Sequence, residues 1–139
     1  MPDANLIYTA KTRTMGGREN GVARSSDGCL EVRLSRPNGA GTGTNPEQLF
    51  AAAWSACFES AMALAARKRR ITLPDDLAID AEVDLIVSEQ DGYFLRARLT
   101  ISLPGISREL ARELADLAHE TCPYSRAIRG NVRVSITVR

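Results

Sequence analysis

The stretch NPEQLFAAAWSACFESAMALAARKRR, residues 45–70, decides the fold of this chain. Asn45 is a typical N-cap, Pro46 suits the first helical position, and Gln48 follows three residues after the cap. Apolar residues then recur at steps of three and four until a basic run closes the segment. The pattern predicts a helix of about 23 residues, roughly 35 Å long. Because Glu59 is the one charge in its Ala-rich middle, we expect this helix to be buried on most sides.

Residues that alternate between apolar and polar flank this helix and predict strands. Before the helix, residues 7–14 indicate an edge strand, and residues 21–26 and 30–35 indicate a β-hairpin around an Asp-Gly turn. After the helix, residues 79–87 and 93–103 alternate on either side of a second Asp-Gly turn. The second pair predicts an antiparallel hairpin.

A second helix and a last strand complete the predicted fold. The helix is expected to begin after an N-cap at Ser107 and to end at or before Cys122, because Pro123 disfavours helical backbone in the preceding residue. Residues 132–138 alternate again as a final strand. We therefore expect an α+β fold in a single domain over residues 1–139, an antiparallel sheet of about six strands packed on two main helices.

Composition limits the classes of function. The chain has 139 residues and a formal net charge of +1, which argues against a binder of nucleic acids or anionic membranes. The longest uncharged apolar-rich stretch, residues 48–58, is shorter than the roughly 20 residues that a membrane-spanning helix needs. The first residues do not have the pattern of a secretory leader, and three widely spaced cysteines do not suit a disulfide scaffold. We expect a cytoplasmic protein.

The cysteines are the first candidates for chemistry. Cys57 lies in the apolar middle of the first helix, where it is either a core thiol or a reactive thiol that needs a cation from elsewhere in the fold. Cys122 ends the second helix, where the helix dipole disfavours a thiolate, so it is either a buried helix-end residue or a thiol that reacts second. Cys29 follows a turn and is expected to be a passive strand residue.

Two charged residues and one histidine complete the candidates. Glu47 lies in the first turn of the long helix, where a capping role would also explain it. Arg18 follows two glycines that let the backbone approach a partner closely, although a solvated loop arginine is the alternative. His119 and Cys122 form an H-x-x-C pair, but two ligands do not make a zinc site. We expect neither a metal nor another cofactor.

Three segments carry a resemblance to a known family: TNPEQLFAAAWSACF at residues 44–58, CPYSRAIRGNV at residues 122–132, and GGRENGVARSSDG at residues 16–28. In order and spacing they resemble the organic hydroperoxide resistance (Ohr) branch of the Ohr/OsmC family, over essentially the whole chain. The resemblance implies an OsmC-like fold, an intertwined homodimer, and a thiol-dependent peroxidase that uses no metal or flavin. It also implies recycling by dihydrolipoyl groups on lipoylated proteins.

The resemblance also implies roles for single residues. Cys57 matches the peroxidatic cysteine, Cys122 the resolving cysteine, Arg18 the arginine that stabilises the thiolate, and Glu47 the carboxylate that orients this arginine. The implied reaction forms a Cys57 sulfenic acid and then a Cys57–Cys122 disulfide, which protects the first thiol from over-oxidation.

Three aromatic residues near the cysteine are expected to line an apolar pocket that favours alkyl and lipid hydroperoxides, with plain core packing as the alternative for each: Phe50, Trp54 and Phe58. The chain departs from the Ohr pattern at Ala53-Trp54, where Gly-Tyr is expected, at Asn20, where Gly is usual, and by the additional Cys29. The first departure could reshape the pocket, and none falls on the four implied reactive positions.

Spacing along the first helix leads to one hypothesis about assembly. Glu47 and Cys57 are ten residues apart, roughly 15 Å along the axis, and helical side chains lean toward the N-terminus. Arg18 would struggle to contact both within one chain. Two antiparallel copies of the helix would bring Glu47 of one subunit toward Cys57 of the other, so we expect the active site at the subunit interface.

Two rival functions remain at this point. A redox-sensing binding protein would form the same disulfide without turnover, and sustained peroxide consumption would distinguish the two. A hot-dog-type thioester hydrolase also combines a long buried helix with an antiparallel sheet. Its chemistry would need a carboxylate and would survive Cys57→Ser.

Overall fold

The computed structural model describes residues 4–139 and divides the chain into two compact units, the first ending at Pro46 and the second running from Glu47 to Arg139. The elements of the first unit are β1 (Thr12–Met15), α1 (Gly17–Asn20), β2 (Val22–Ser25) and β3 (Glu31–Arg33). Its strands pair antiparallel in the order β1-β2-β3. The single-domain organisation stays a prediction.

A long helix opens the second unit, and a helical crossover closes its sheet. Its elements are α2 (Pro46–Lys68), β4 (Ala78–Ser88), β5 (Gly92–Ser102), α3 (Arg108–Thr121), α4 (Pro123–Ile128) and β6 (Arg133–Val138). β4 and β5 form an antiparallel hairpin, and β6 pairs parallel to β5. The Ser107 hydroxyl caps α3 by accepting a hydrogen bond from the Leu110 N–H.

The α+β class is confirmed, and six strands lie within residues 4–139, but their arrangement as one antiparallel sheet was wrong. The strands form two sheets of three in this part of the chain, and the last strand is parallel to its neighbour. The physical reason is the connection, because α3 and α4 carry the chain from the end of β5 back to the start of β6, as a parallel pair requires.

The core of the second unit lies between its sheet and its two long helices. α2 contributes a stripe at four-residue steps, consisting of Trp54, Phe58, Met62 and Ala66. α3 contributes four buried side chains, and Leu99 and Ile101 of β5 are fully enclosed between the helices and the sheet. The side chains of β4 that share the inner face are partly buried.

The expectation that α2 is buried on most sides was wrong for the single chain. Beside its buried stripe, α2 exposes Ala52, Ala56, Ala63 and Leu64. Contrary to the expectation from residues 48–58, α2 is long and apolar enough to cross a membrane by length and composition alone, a test that the core helix of a soluble protein also passes. One chain therefore leaves much of an apolar helix uncovered.

Candidate functional site

Cys57 lies on α2 directly before Phe58, next to the stripe that packs into the core. Its thiol is half-buried, because residues one position away from the centre of a helix stripe turn partly toward the surface. The backbone here is regular helix within α2, so the position of the thiol is set by the packing of the whole helix.

Cys122 occupies the junction between α3 and α4 and is fully buried. Its backbone leaves the helical region, with φ −61° and ψ 123°, because Pro123 follows. Its N–H still donates to the Ala118 carbonyl at 2.7 Å, and its carbonyl accepts the Arg126 N–H at 3.0 Å. The residue thus ends one helix and begins the next, which holds its thiol in a defined place.

The two thiols meet although they are far apart in sequence. Both are free thiols, and the Cys57 thiol is in hydrogen-bonding contact with the Cys122 thiol and with the Tyr124 backbone N–H. Tyr124 is the second residue of α4, and the Cys122 side chain does not cap this helix, so its N–H is one of the donors that a helix start leaves without an intrahelical partner. The start of α4 therefore directs a donor at the Cys57 sulfur.

Burial raises the pKa of the Cys57 thiol above its ordinary value, and the adjacent Cys122 thiol raises it further. The Tyr124 N–H acts in the opposite direction and lowers this pKa, because it stabilises the thiolate. At rest the balance favours the protonated thiol.

A second contact joins the same two helices. The Trp54 indole N–H donates to the Ser125 hydroxyl oxygen, with 3.0 Å between nitrogen and oxygen. Both side chains are completely buried, and Ser125 is the one polar residue classed as buried among residues 4–139. Sequence reasoning missed Ser125. The available signal was Trp54, because a buried indole N–H needs an acceptor.

Arg18 lies on the short helix α1 of the first unit. Gly16 and Gly17 precede it with φ of 84° and 72°, in the left-handed region that favours glycine. A Cβ on Gly21, just after α1, would lie 2.2 Å from the Gly17 carbonyl oxygen. The tight one-turn helix that presents Arg18 therefore depends on glycine at both ends.

Glu47 lies in the first turn of α2 and is partly buried. The start of a helix favours a carboxylate because the unpaired N–H groups carry partial positive charge. Since α2 is continuous from Glu47 to Cys57, the two residues are separated by roughly 15 Å along the helix axis. Within the second unit, the structure brings Cys57 and Cys122 into contact.

Comparison with known proteins assigns the chain to a family. The sequence profile of the OsmC-like protein family matches residues 39–137. An organic hydroperoxide resistance protein of Xanthomonas axonopodis pv. citri is 42% identical over 96% of this chain and 95% of its own. This chain belongs to the Ohr branch of the OsmC-like family.

Solved structures of Ohr proteins agree with the assignment. The organic hydroperoxide resistance protein OhrB of Bacillus subtilis is similar with a TM-score of 0.88 and 42% identity, covering 95% of this chain and 98% of its own. An organic hydroperoxide resistance protein of Legionella pneumophila has a TM-score of 0.89 and 42% identity over 96% and 98% of the two chains. The OsmC-like fold is therefore confirmed.

The three aromatic residues that were expected to line an apolar pocket lie at different depths. Trp54 and Phe58 are completely buried in the core, whereas Phe50 is only partly buried. The rings of Phe50 and Trp54 are tilted against each other with centroids 6.3 Å apart. Phe50 is thus the member of the set with surface left for a substrate, and the role of all three as pocket residues stays a prediction.

Cys29 belongs to the first unit and is exposed in the turn between β2 and β3, so the expectation of a strand residue was wrong. Its N–H donates to the Asp27 carboxylate at 2.9 Å. Within residues 4–139, no group of three or more His, Cys, Asp or Glu side chains is arranged to hold a metal ion. Cys29 is therefore a natural control position for experiments on the other two thiols.

Proposed function

We propose that this chain is a thiol peroxidase that reduces organic hydroperoxides to alcohols, as part of the response to oxidative stress. Membership of the Ohr branch supports the substrate class, because its relatives are organic hydroperoxide resistance proteins. The observation that carries the proposal is the contact between the half-buried Cys57 thiol and the fully buried Cys122 thiol. Cys57 is the more exposed of the two residues, which suits it to meet a substrate first.

The proposed reaction has three steps. The Cys57 thiolate attacks the distal oxygen of the hydroperoxide, the O–O bond breaks, and the alkoxide leaves as an alcohol after taking a proton. The Cys57 sulfenic acid then reacts with the Cys122 thiol, which forms the disulfide and releases water. A dihydrolipoyl dithiol, carried by a lipoylated protein, reduces the disulfide by exchange through a mixed disulfide and is itself oxidised.

Formation of the thiolate is the electrostatic problem of this site. Because burial and the Cys122 thiol raise the Cys57 pKa, the enzyme needs a positive charge at the sulfur. We assign this role to Arg18, oriented by Glu47, as the resemblance to Ohr proteins implies. The Tyr124 N–H supplies the second stabilising interaction and remains in place as the charge develops.

The proposed functional unit is a homodimer with active sites at the subunit interface. The exposed apolar surface of α2, which includes Ala56 and Leu64, supports a second copy as its cover. The roughly 15 Å between Glu47 and Cys57 along one helix supports a site completed by the partner subunit. We place this dimer in the cytoplasm, where thiols stay reduced between reactions.

Mixed dimers test the interface. Cys57→Ser subunits and Glu47→Ala subunits are each expected to be inactive alone. If a site takes Cys57 from one subunit and Glu47 from the other, a mixed dimer contains one site with both native residues, and about half of the wild-type activity per dimer should return. An inactive mixed dimer would show that both residues act within one chain.

Steady-state turnover tests the reaction itself. Cumene hydroperoxide is supplied with dihydrolipoamide to wild type, Cys57→Ser and the matched control Cys29→Ser. We expect sustained consumption by wild type and Cys29→Ser and none by Cys57→Ser. The alternative is that wild type consumes a single equivalent and forms a Cys57–Cys122 bridge, detected by mass spectrometry, that no dithiol reduces. That outcome would identify a redox sensor and reject the enzyme. Activity that survives in Cys57→Ser would reject the thiol mechanism altogether.

A further inference from the structure

Two side-chain contacts join α2 to the start of α4, and we call each of them a rung. One rung is the hydrogen bond from Trp54 to Ser125, and the other is the contact between Cys57 and Cys122. On α2 the two members are three residues apart, and the same spacing separates Cys122 from Ser125 at the start of α4. Residues three apart on a helix are neighbours on one face, so the rungs lie side by side.

The hydrogen bond between Trp54 and Ser125, which we call the polar rung, is shielded from water at both partners. Trp54 and Ser125 have no solvent exposure, so neither polar group can exchange its partner for water. The indole nitrogen can only donate, and the serine oxygen accepts at 3.0 Å. Loss of either partner would leave the other buried and unpaired, which makes the bond an effective constraint on the distance between the two helices.

α4 needs such a constraint, because it has only six residues. Helices this short have little stability of their own, and their place is set by tertiary contacts. At its far end Ile128 is buried, and the neighbouring Arg129 side chain donates to the His119 carbonyl at 2.6 Å. Nearer its start, the bond between Trp54 and Ser125 links it to α2, beside the contact between Cys57 and Cys122.

We propose that Trp54 and Ser125 are positioning residues for the thiol pair: their hydrogen bond fixes α4 against α2, so that the Cys122 thiol and the Tyr124 N–H stay in contact with the Cys57 sulfur. The inference deepens the proposed peroxidase function and rests on it for its biological meaning. Without the bond, Cys122 attacks the Cys57 sulfenic acid more slowly, and the Cys57 thiolate loses a hydrogen-bond donor. Trp54 then serves the site through α4 and makes no contact with the substrate.

Disulfide formation and thiol ionisation test this positioning role without any hydroperoxide. The oxidant diamide takes up two hydrogens as the two thiols join, so the rate of Cys57–Cys122 bridge formation can be followed in wild type and Ser125→Ala. The rate of Cys57 alkylation by iodoacetamide, measured against pH in a Cys29→Ser, Cys122→Ser background, reports the Cys57 pKa. For Ser125→Ala we expect about tenfold slower bridging, the effect of losing one hydrogen bond, and a rise in alkylation that begins at higher pH.

Three further variants separate positioning from loss of stability. Met62→Ala removes a buried side chain from the same stripe of α2 without touching the polar rung, and it should bridge at the wild-type rate. Ser125→Thr keeps the accepting oxygen and should restore most of the bridging rate. Trp54→Phe combined with Ser125→Ala should bridge no more slowly than the slower single variant, because both remove the same bond.

The inference is overturned if Ser125→Ala is destabilised like Met62→Ala but bridges and alkylates like wild type. It is also overturned if wild type forms no bridge between Cys57 and Cys122 with diamide. Wild type that bridges with diamide but does not consume hydroperoxide would reject the proposed function alone and leave the positioning role in place.

Discussion

Replacement of Phe58 by alanine should lower the thermal midpoint strongly and leave the KM for hydroperoxide almost unchanged. The Phe58 ring has no solvent exposure, and it lies in the buried stripe of α2. It also lies against the His119 ring, with centroids 6.4 Å apart and planes at 38°. Because a fully buried ring has no surface to offer a substrate, its truncation should act through the core.

The expected magnitude follows from burial. Truncating a buried phenylalanine to alanine typically lowers the free energy of unfolding by about 3–5 kcal/mol, through lost transfer energy and the cavity left behind. For a chain of 139 residues the unfolding entropy is about 0.3 kcal/mol per degree. The thermal midpoint should therefore fall by about 10–17 °C. Phe50, which is only partly buried, should show a smaller fall and the larger rise in KM.

Differential scanning calorimetry at one fixed protomer concentration measures the midpoints, since association makes them concentration-dependent. The KM for cumene hydroperoxide is measured well below the lowest midpoint, so that every variant is folded. Met62→Ala serves as the matched control, because it empties the same stripe one turn further along α2. A midpoint within about 3 °C of wild type for Phe58→Ala, the equivalent of about 1 kcal/mol, together with a raised KM, would refute the core assignment and make Phe58 a pocket wall.

Three further predictions concern the resolving thiol, the outer face of the sheet and a helix cap. Cys122→Ser should consume one equivalent of hydroperoxide to form the Cys57 sulfenic acid and a second to oxidise it to the sulfinic acid, which accumulates in the intact mass spectrum; sustained turnover with dithiol would show that Cys122 is dispensable. Asp84, whose pKa the Arg98 guanidinium lowers from 3.8 to about 2, should stabilise the fold above pH 4 and lose that effect as pH falls toward 2. The midpoint difference between wild type and Asp84→Asn should close over that range, and a difference independent of pH would contradict the ion pair. Ser107→Ala should lower the free energy of unfolding by about 1 kcal/mol through loss of the α3 cap, measured by denaturant titration, and an unchanged value would mean that the cap contributes nothing.

The local elements were predictable because their signals lie within a few residues. α2 begins at Pro46 and has 23 residues, as its cap signals and periodicity predicted. α3 follows its predicted cap, and the hairpin of β4 and β5 forms around its Asp-Gly turn. In each case one segment contains the start, the period and the end of the element.

Strand pairing could not be predicted with the same tools. Apolar and polar residues alternate in the same way in parallel and antiparallel strands, so the pattern of residues 132–138 did not indicate the direction of the strand. The useful signal was the helical segment before them, because a helix between two neighbouring strands of one sheet favours a parallel pair. The division into two sheets depends on contacts far apart in sequence, which periodicity does not describe.

In the candidate site, too, single residues could be predicted from the sequence, whereas their contacts in space could not. Cys57 and Cys122 were singled out as residues, but their pairing came from the resemblance to Ohr proteins and not from their spacing. Ser125 was missed because a single serine in a short helix has no pattern. Its partner was visible, since a tryptophan in an Ala-rich apolar helix brings an N–H that must find an acceptor.

Burial and reactivity make opposite demands on Cys57, because burial raises its pKa and disfavours the thiolate that attacks a peroxide. Half-burial against Cys122 raises the thiol pKa and keeps the resting sulfur protonated, which limits wasteful oxidation. The Tyr124 N–H lowers the pKa from within the same unit, whereas the proposed arginine belongs to the first unit. The short helix α4 therefore contributes to thiolate stabilisation from within the unit that contains Cys57. On this view the rigidity of the polar rung matters most after the peroxide has reacted, when Cys122 must reach a sulfenic acid before a second peroxide does.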